Sequence, residues 1–126
     1  MNMNQVTLPV RDVEKVAAFY RELGLTQIVH SEHYARFECP DGDGTFSLAR
    51  TAGEIHNGAT IYFEHRELDA LVAMLVRKGI TFDEMPTDKR YLWREATLRD
   101  PAGNRIKLYW AGAARRFPPW RTERRD

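Results

Sequence analysis

The stretch QVTLPVRDVEKVAAFYRELGL, residues 5–25, decides the fold. Its first six residues alternate, with apolar Val6, Leu8 and Val10 set against Gln5, Thr7 and Pro9. Period two of this kind marks a strand with one buried face, and Pro9 suits a strand end or a sheet edge. Asp12 follows with the chemistry of a helix N-cap: its carboxylate can accept from a backbone N–H that the first turn leaves without a partner. Val13, Val16, Ala17, Tyr20 and Leu23 then recur at helical spacing. Gly24 ends the helix, because glycine enters the left-handed region without steric cost.

Residues 60–80, TIYFEHRELDALVAMLVRKGI, repeat this plan 55 positions later. The shift pairs Gly24 with Gly79, Val6 with Ile61, Leu8 with Phe63, Asp12 with Glu67, Val13 with Leu68 and Val16 with Leu71. Residues 59–64 read as a strand and 67–78 as a helix. Behind the first helix, strands are predicted at Thr26–His30, Tyr34–Glu38 and residues 45–49, with turns at Ser31-Glu32 and at residues 40–44. Behind the second, they are predicted at residues 80–83, 93–99 and Arg105–Trp110, with Asp100-Pro101-Ala102-Gly103-Asn104 as the last turn. A shift of 60 pairs Phe46 with Ile106 and Leu48 with Leu108. The expected fold is α+β. Two βαβββ modules, about 4–50 and 58–112, are related by a pseudo-twofold, with mixed curved sheets cupping a pocket and helices on the outer face. Residues 1–112 form one domain and 113–126 a basic tail containing Pro and Trp.

A chain of 126 residues suits one domain with a real core. Its single cysteine, Cys39, excludes an internal disulfide and a multi-cysteine zinc cluster, and points to a reducing cytoplasm. Met1 to Gln5 is polar, so no signal peptide is expected. No run approaches the ~18 apolar residues of a membrane span. Net charge is +1, which excludes a global pull toward nucleic acid or acidic lipid. Arg115, Arg116, Arg121, Arg124 and Arg125 concentrate positive charge in the tail. Without an interleaved basic and aromatic surface elsewhere, they read as a solvated segment rather than a nucleic-acid site. Phe117 and Trp120, beside a stiff Pro-Pro pair, suit docking on the domain itself or on a second subunit.

Alternation sorts the strand residues into two faces. Val6, Leu8, Val10, Phe46, Leu48, Ile61, Phe63, Ile106 and Leu108 form an apolar face that packs on the helices. Gln5, Thr7, Ser47, Ala49, Thr60, Tyr62, Lys107 and Tyr109 form the other, which mixes hydroxyls, an amide, an amine and phenols. Two readings stay open for it, a solvated sheet surface or the wall of a polar ligand cavity.

The Arg11-Asp12-Val13-Glu14-Lys15 helix start, the Phe19-Tyr20-Arg21-Glu22-Leu23-Gly24-Leu25 helix end and the Asp100–Asn104 turn resemble the vicinal-oxygen-chelate superfamily. That group holds glyoxalases, bleomycin resistance proteins, extradiol dioxygenases, epimerases and fosfomycin-resistance enzymes. The resemblance spans about residues 4–111, and its members commonly form homodimers. It implies metal ligands at Gln5, Ser47, Thr60 and Lys107, where metal-using members carry His or Gln, Glu, His and Glu. Only Gln5 is of a ligand type. Ser47 and Thr60 are neutral hydroxyls, and an ammonium has no lone pair to give. At ~4 Å and an effective dielectric near 20, two unit charges interact by about 4 kcal/mol, and a divalent ion meets about twice that repulsion from Lys107. His56 with Gln5 is the remaining metal alternative, and Glu38 and Glu95 are the carboxylates best placed to join it.

Lys107 has two readings. Desolvation could depress its pKa and make it a base with Glu95, or it pairs with Glu95 across the last hairpin. Tyr62, Trp93, Tyr109 and Tyr91 are candidates for an aromatic wall, and Arg94 for an anion contact or the surface. No nucleophile elbow and no phosphate loop occurs. The reading is a glyoxalase/bleomycin-resistance-like cytoplasmic homodimer. It binds a small anionic or aromatic molecule in a metal-free pocket through Gln5, Thr7, Ser47, Thr60, Tyr62, Trp93 and Tyr109, with no cofactor, nucleic acid or membrane partner. The alternative is a lyase, isomerase or dioxygenase-like enzyme of the same superfamily, either metal-free with Lys107 and Glu95 catalytic or holding a divalent metal through unusual ligands.

Overall fold

The computed structural model of the chain describes residues 1–125. Its elements run β1 (Gln5–Val10), α1 (Val13–Leu23), β2 (Thr26–His30), β3 (Tyr34–Glu38), β4 (Thr45–Arg50), β5 (Thr60–Glu64), α2 (Leu68–Arg77), β6 (Glu84–Asp88), β7 (Arg94–Arg99) and β8 (Arg105–Trp110). A short 3₁₀ turn at Gly112–Arg115 follows. Each βαβββ module makes one four-stranded sheet, ordered β1-β4-β3-β2 and β5-β8-β7-β6. β1 runs parallel to β4, and β2–β3–β4 are antiparallel. Among the described residues no helix is long and apolar enough to cross a membrane.

Two compact units result. The first holds residues 1–59 together with the turn 99–105, and the second holds 60–98 and the chain from 106 onward. In the first, α1 packs on β2, β3 and β4. The Tyr20 ring lies 4.6 Å from that of Phe46 and 6.0 Å from that of Phe37. Burying each such ring contributes about 2 kcal/mol, so this cluster outweighs any single hydrogen bond of the unit. Asp12 accepts from the Lys15 N–H at 3.1 Å, a cap worth about 1 kcal/mol. Gly24, at φ +109°, lets Leu25 N–H return to the Tyr20 carbonyl at 3.1 Å.

The second unit buries Leu68, Val72, Leu75, Ala96, Leu98, Ile106 and Leu108. Glu67 occupies the place of Asp12 yet makes no side-chain cap. His65 Nδ1 accepts the Glu67 N–H at 3.0 Å instead. Arg94 does not await an anion: it forks onto Asp69 of α2 at 2.9 and 3.1 Å and reaches Asp88 at 2.9 Å, which ties helix to sheet.

One strand lies elsewhere than the pattern indicates. Residues 80–83 are not a strand, and β6 is Glu84–Asp88. Ile80 N–H is taken by the Leu75 carbonyl at the end of α2, and Asp83 N–H is the first to reach Thr97, at 2.8 Å. Pro86 and the acidic residues hide the strand from periodicity. They are tolerated because β6 is an edge strand, with a register shift between Glu84 and Thr87. The tail does not fold back to cover its aromatic residues. Phe117 and Trp120 stay more than half exposed, and Arg121 stacks its guanidinium 4.5 Å from the Phe117 ring centre.

The Asp100–Asn104 turn is the polar centre of the first unit. Asp100 is 4% exposed. Its carboxylate accepts from Tyr20 Oη at 2.7 Å, from the Ala102 and Asn104 N–H groups at 2.9 Å each, and from Asn104 Nδ2 at 2.9 Å. Burial and the neighbouring carboxylate push the Tyr20 phenol far up, so it stays a donor. Asn104 Nδ2 also reaches the Pro9 carbonyl at 3.1 Å, and its Oδ1 accepts from Asn57 at 2.8 Å. Asp100→Ala strands several donors at once and should cost about 3 kcal/mol or more. Tyr20→Phe removes one donor and should cost about 1 kcal/mol. Urea unfolding of both variants checks this, and equal losses would contradict the central role of the carboxylate.

Candidate functional site

On the first unit, β1 and β4 bring Gln5, Thr7 and Ser47 onto one sheet face, as their parity requires. Thr7 is opposite Ser47 in the ladder, and Gln5 is opposite Thr45. Gln5 Nε2 donates to Ser47 Oγ at 2.8 Å and lies 3.4 Å from Thr7 Oγ1. Two further residues belong to this face that the strand patterns, read only for the first and last strands of each module, left out. Tyr34 Oη is 2.6 Å from Ser47 Oγ, and Arg36 Nε donates to Tyr34 Oη at 2.9 Å. The signal was available: Arg36 is opposite Ser47 in the antiparallel pair, and Tyr34 is two residues away on the same face. Burial by itself would raise the Tyr34 pKa. The hydrogen bonds from Ser47 and Arg36, with the Arg36 charge, outweigh it and hold the phenol below its ordinary value.

His56 lies apart from this face in a loop, largely exposed and 3.5 Å from Glu54. It lines an open cavity of about 570 Å³ with Arg11 and Lys15, near the start of α1. Neither Gln5 nor Ser47 lines that cavity. Glu38 is exposed at the end of β3. Among the described residues no three His, Cys, Asp or Glu side chains are grouped so as to hold a metal ion.

The second unit gathers Tyr62, Trp93, Glu95, Lys107 and Tyr109, together with Tyr91. Trp93 and Tyr109 stack at 4.9 Å with an interplanar angle of 28°. Tyr62 meets both rings edge-on at 5.9 and 5.4 Å, and Tyr91 meets Trp93 edge-on at 5.9 Å. Glu95 is 1% exposed. It accepts from Lys107 Nζ at 2.8 Å and from Tyr91 Oη at 2.8 Å. Thr60 is half-buried on β5.

The Lys107 geometry is that of the ion pair. The hydrogen bond to Glu95 raises the Lys107 pKa against the opposing effect of burial, with the Glu95 charge adding to the rise. A lysine base needs the opposite shift, so of the two readings open for Lys107 the geometry agrees with the pair to Glu95. Burial, and then the Glu95 carboxylate it donates to, raises the Tyr91 phenol. Leu92 sits between Tyr91 and Trp93 at φ +71°, a left-handed conformation that costs a branched residue about 1 kcal/mol. Backbone bonds from Lys89 to Trp93 at 2.7 Å and from Leu92 to Lys89 at 3.0 Å impose it. Strain of this kind collects where side chains must be presented at a fixed angle.

Two βαβββ modules in one chain, with polar and aromatic sheet faces, are the architecture of a defined class of protein. The sequence matches the Glyoxalase/Bleomycin resistance protein/Dioxygenase superfamily over residues 2–108, and the chain belongs to that superfamily. A glyoxalase/bleomycin resistance protein/dioxygenase from Nocardioides shares the fold with a TM-score of 0.76 at 20% identity, over 98% of this chain and 90% of that one. A superfamily member from Sphaerobacter thermophilus gives 0.74 at 21% identity, over 87% and 97%. The lactoylglutathione lyase of Agrobacterium tumefaciens gives 0.69 at 17% identity, over 86% and 92%. At these identities the likeness is one of fold. No match was found among curated proteins.

The Glu95–Lys107 pair yields a stability prediction with a defined sign. Removing the ammonium leaves a buried carboxylate with Tyr91 as its remaining side-chain donor. Lys107→Met should cost about 2 kcal/mol at pH 7, less than for a fully buried pair because the lysine side chain is 22% exposed. A raised pKa contributes stability in full below the ordinary lysine value of about 10.4, and that contribution is lost as pH rises through the higher folded value. The gap between wild type and Lys107→Met in urea unfolding should therefore hold from pH 7 to 10 and narrow above about pH 11. A gap that stays constant into that range would contradict the pairing.

Proposed function

We propose that this chain is a metal-free small-molecule-binding protein whose second unit takes a flat aromatic ligand on Tyr62, Tyr91 and Trp93, with the buried Tyr109 stacked behind Trp93. One observation carries the reading: the charges of this face satisfy one another inside it. Glu95 is closed off by Lys107 and Tyr91, while the Tyr62 and Tyr91 rings stay 43% and 37% exposed. What the face offers a ligand is aromatic area with phenol tips, at low entropic cost because the rings already brace one another. Neutralisation of Lys107 favours the aromatic over the anionic ligand class here. The superfamily names cover enzymes as well as binding proteins. A lysine held as ammonium against a buried carboxylate supports binding over base catalysis.

The metal-free part rests on donor chemistry. At the positions the superfamily resemblance implies for ligands stand an amide, two hydroxyls and an ammonium. The Gln5 carbonyl oxygen already accepts from Thr45, and Lys107 is committed to Glu95. Hard divalent ions select carboxylate and carbonyl oxygen, borderline ones imidazole and thiolate, and an ammonium serves neither. Elemental analysis after incubation with zinc, nickel, iron and manganese should find well under one equivalent of each. Near-stoichiometric metal lost on Gln5→Ala would overturn this part.

Calorimetric titration with naphthol and with its saturated analogue decalol tests the ligand class. Naphthol should bind at least about tenfold more tightly, and Trp93→Ala should remove that advantage, a difference of about 1.4 kcal/mol. Equal affinities, or a Trp93→Ala variant with undiminished preference, would sink the aromatic reading.

A further inference from the structure

The polar face of the first unit has a direction built into its hydrogen bonds. Gln5 sets it. Its Nε2 lies 3.2 Å from the Val6 carbonyl, and its Oε1 accepts from the Thr45 hydroxyl, so the amide cannot be turned over without setting carbonyl against carbonyl. Gln5 therefore donates to Ser47 Oγ. Ser47 is fully buried and has one proton to place. Among the described residues, Tyr34 Oη at 2.6 Å is the acceptor it can reach. A buried proton left without an acceptor is costly, which fixes the donation as Ser47 to Tyr34. Tyr34 Oη also accepts from Arg36 Nε at 2.9 Å. With two donors directed at its oxygen, the phenol must turn its own proton away from the relay.

Arg36 points the same way. Its Nε is engaged with Tyr34, and its guanidinium carbon lies 5.3 Å from the Tyr34 ring centre. Among the described residues no carboxylate pairs with it, and the side chain is exposed. The face thus ends in an O–H and a cationic N–H fork, both donors, side by side and without an acceptor among the described residues.

We infer that Tyr34 and Arg36 form a carboxylate-binding site on β3, with Ser47 and Gln5 as the positioning residues behind it. A ligand there must be an acceptor, which excludes amines. It gains from bearing charge, which favours an organic acid over its amide. A planar carboxylate presents two oxygens, one to the phenol proton and one to the guanidinium. The lowered pKa of Tyr34 agrees, since a more acidic phenol is a stronger donor. Its residues all belong to the first unit, and the inference does not rest on the aromatic face of the second.

Calorimetric titration of the full chain with butyrate and with butyramide tests this. Butyrate should bind saturably, and butyramide at least about tenfold more weakly. Arg36→Gln and Tyr34→Phe should each weaken butyrate by about fivefold to tenfold, and Ser47→Ala by about threefold, because it only loosens the phenol. Arg36 is exposed, so Arg36→Gln folds whatever becomes of the buried Ser47→Ala. Naphthol binding should be unchanged in Arg36→Gln, and butyrate binding unchanged in Trp93→Ala, so failure of one site is read apart from failure of the other. Equal binding of butyrate and butyramide, no saturable butyrate heat, or an Arg36→Gln variant that binds butyrate as wild type does would overturn the inference.

Discussion

The carboxylate of Asp100 holds the first unit together. It collects a tyrosine hydroxyl from α1, two backbone N–H groups of its own turn and the amide of Asn104, and Asn104 extends the network to β1 and to Asn57. A buried carboxylate is costly to place away from water, and only this degree of satisfaction makes it tolerable. The turn sequence follows from that demand. Asp supplies the acceptor, Gly103 takes φ +89°, and Asn104 carries the amide onward. The aromatic cluster of Tyr20, Phe37 and Phe46 can then close over α1 without an unpartnered hydroxyl inside it.

Much of this was legible from residues alone, and the reasons differ from place to place. α1 was legible because each of its signals agrees: the Asp12 cap, the apolar stripe and Gly24. The strands that open and close each module, β1, β4, β5 and β8, were legible because one face is buried, so a slip of one residue would expose the core. β6 was not, since its Glu, Pro and Asp residues answer to exposure rather than to packing. The cap of α2 was not legible either. Counting 55 residues from Asp12 finds Glu67, which makes no side-chain cap, and the His65 ring accepts the N–H of Glu67 itself.

The sheet faces divide in the same way. Parity alone places Gln5 with Thr7 and Ser47, and Lys107 within reach of Glu95. It cannot say whether a lysine and a glutamate meet or merely pass, because that depends on rotamers and on burial. Tyr34 and Arg36 needed the pairing of β3 with β4, a relation between strands rather than within one. Hydrogen-bond direction is further still from sequence: it emerges when Gln5, locked by Val6 and Thr45, leaves Ser47 one way to place its proton.

The positions of Ser47 and Lys107 correspond across the repeat, yet each settles its polar needs with neighbours from its own sheet. Ser47 does so with Gln5 and Tyr34, and Lys107 with Glu95. Neither solution constrains the residues of the other. A duplicated architecture of this kind can drift asymmetrically, because a change that rewires one copy leaves the other intact. Mutational tolerance should then be organised by half. Substitutions within one sheet face should couple strongly, because they share hydrogen-bond partners. A single chain so built carries two different hydrogen-bond solutions to one inherited plan, much as two separate genes would.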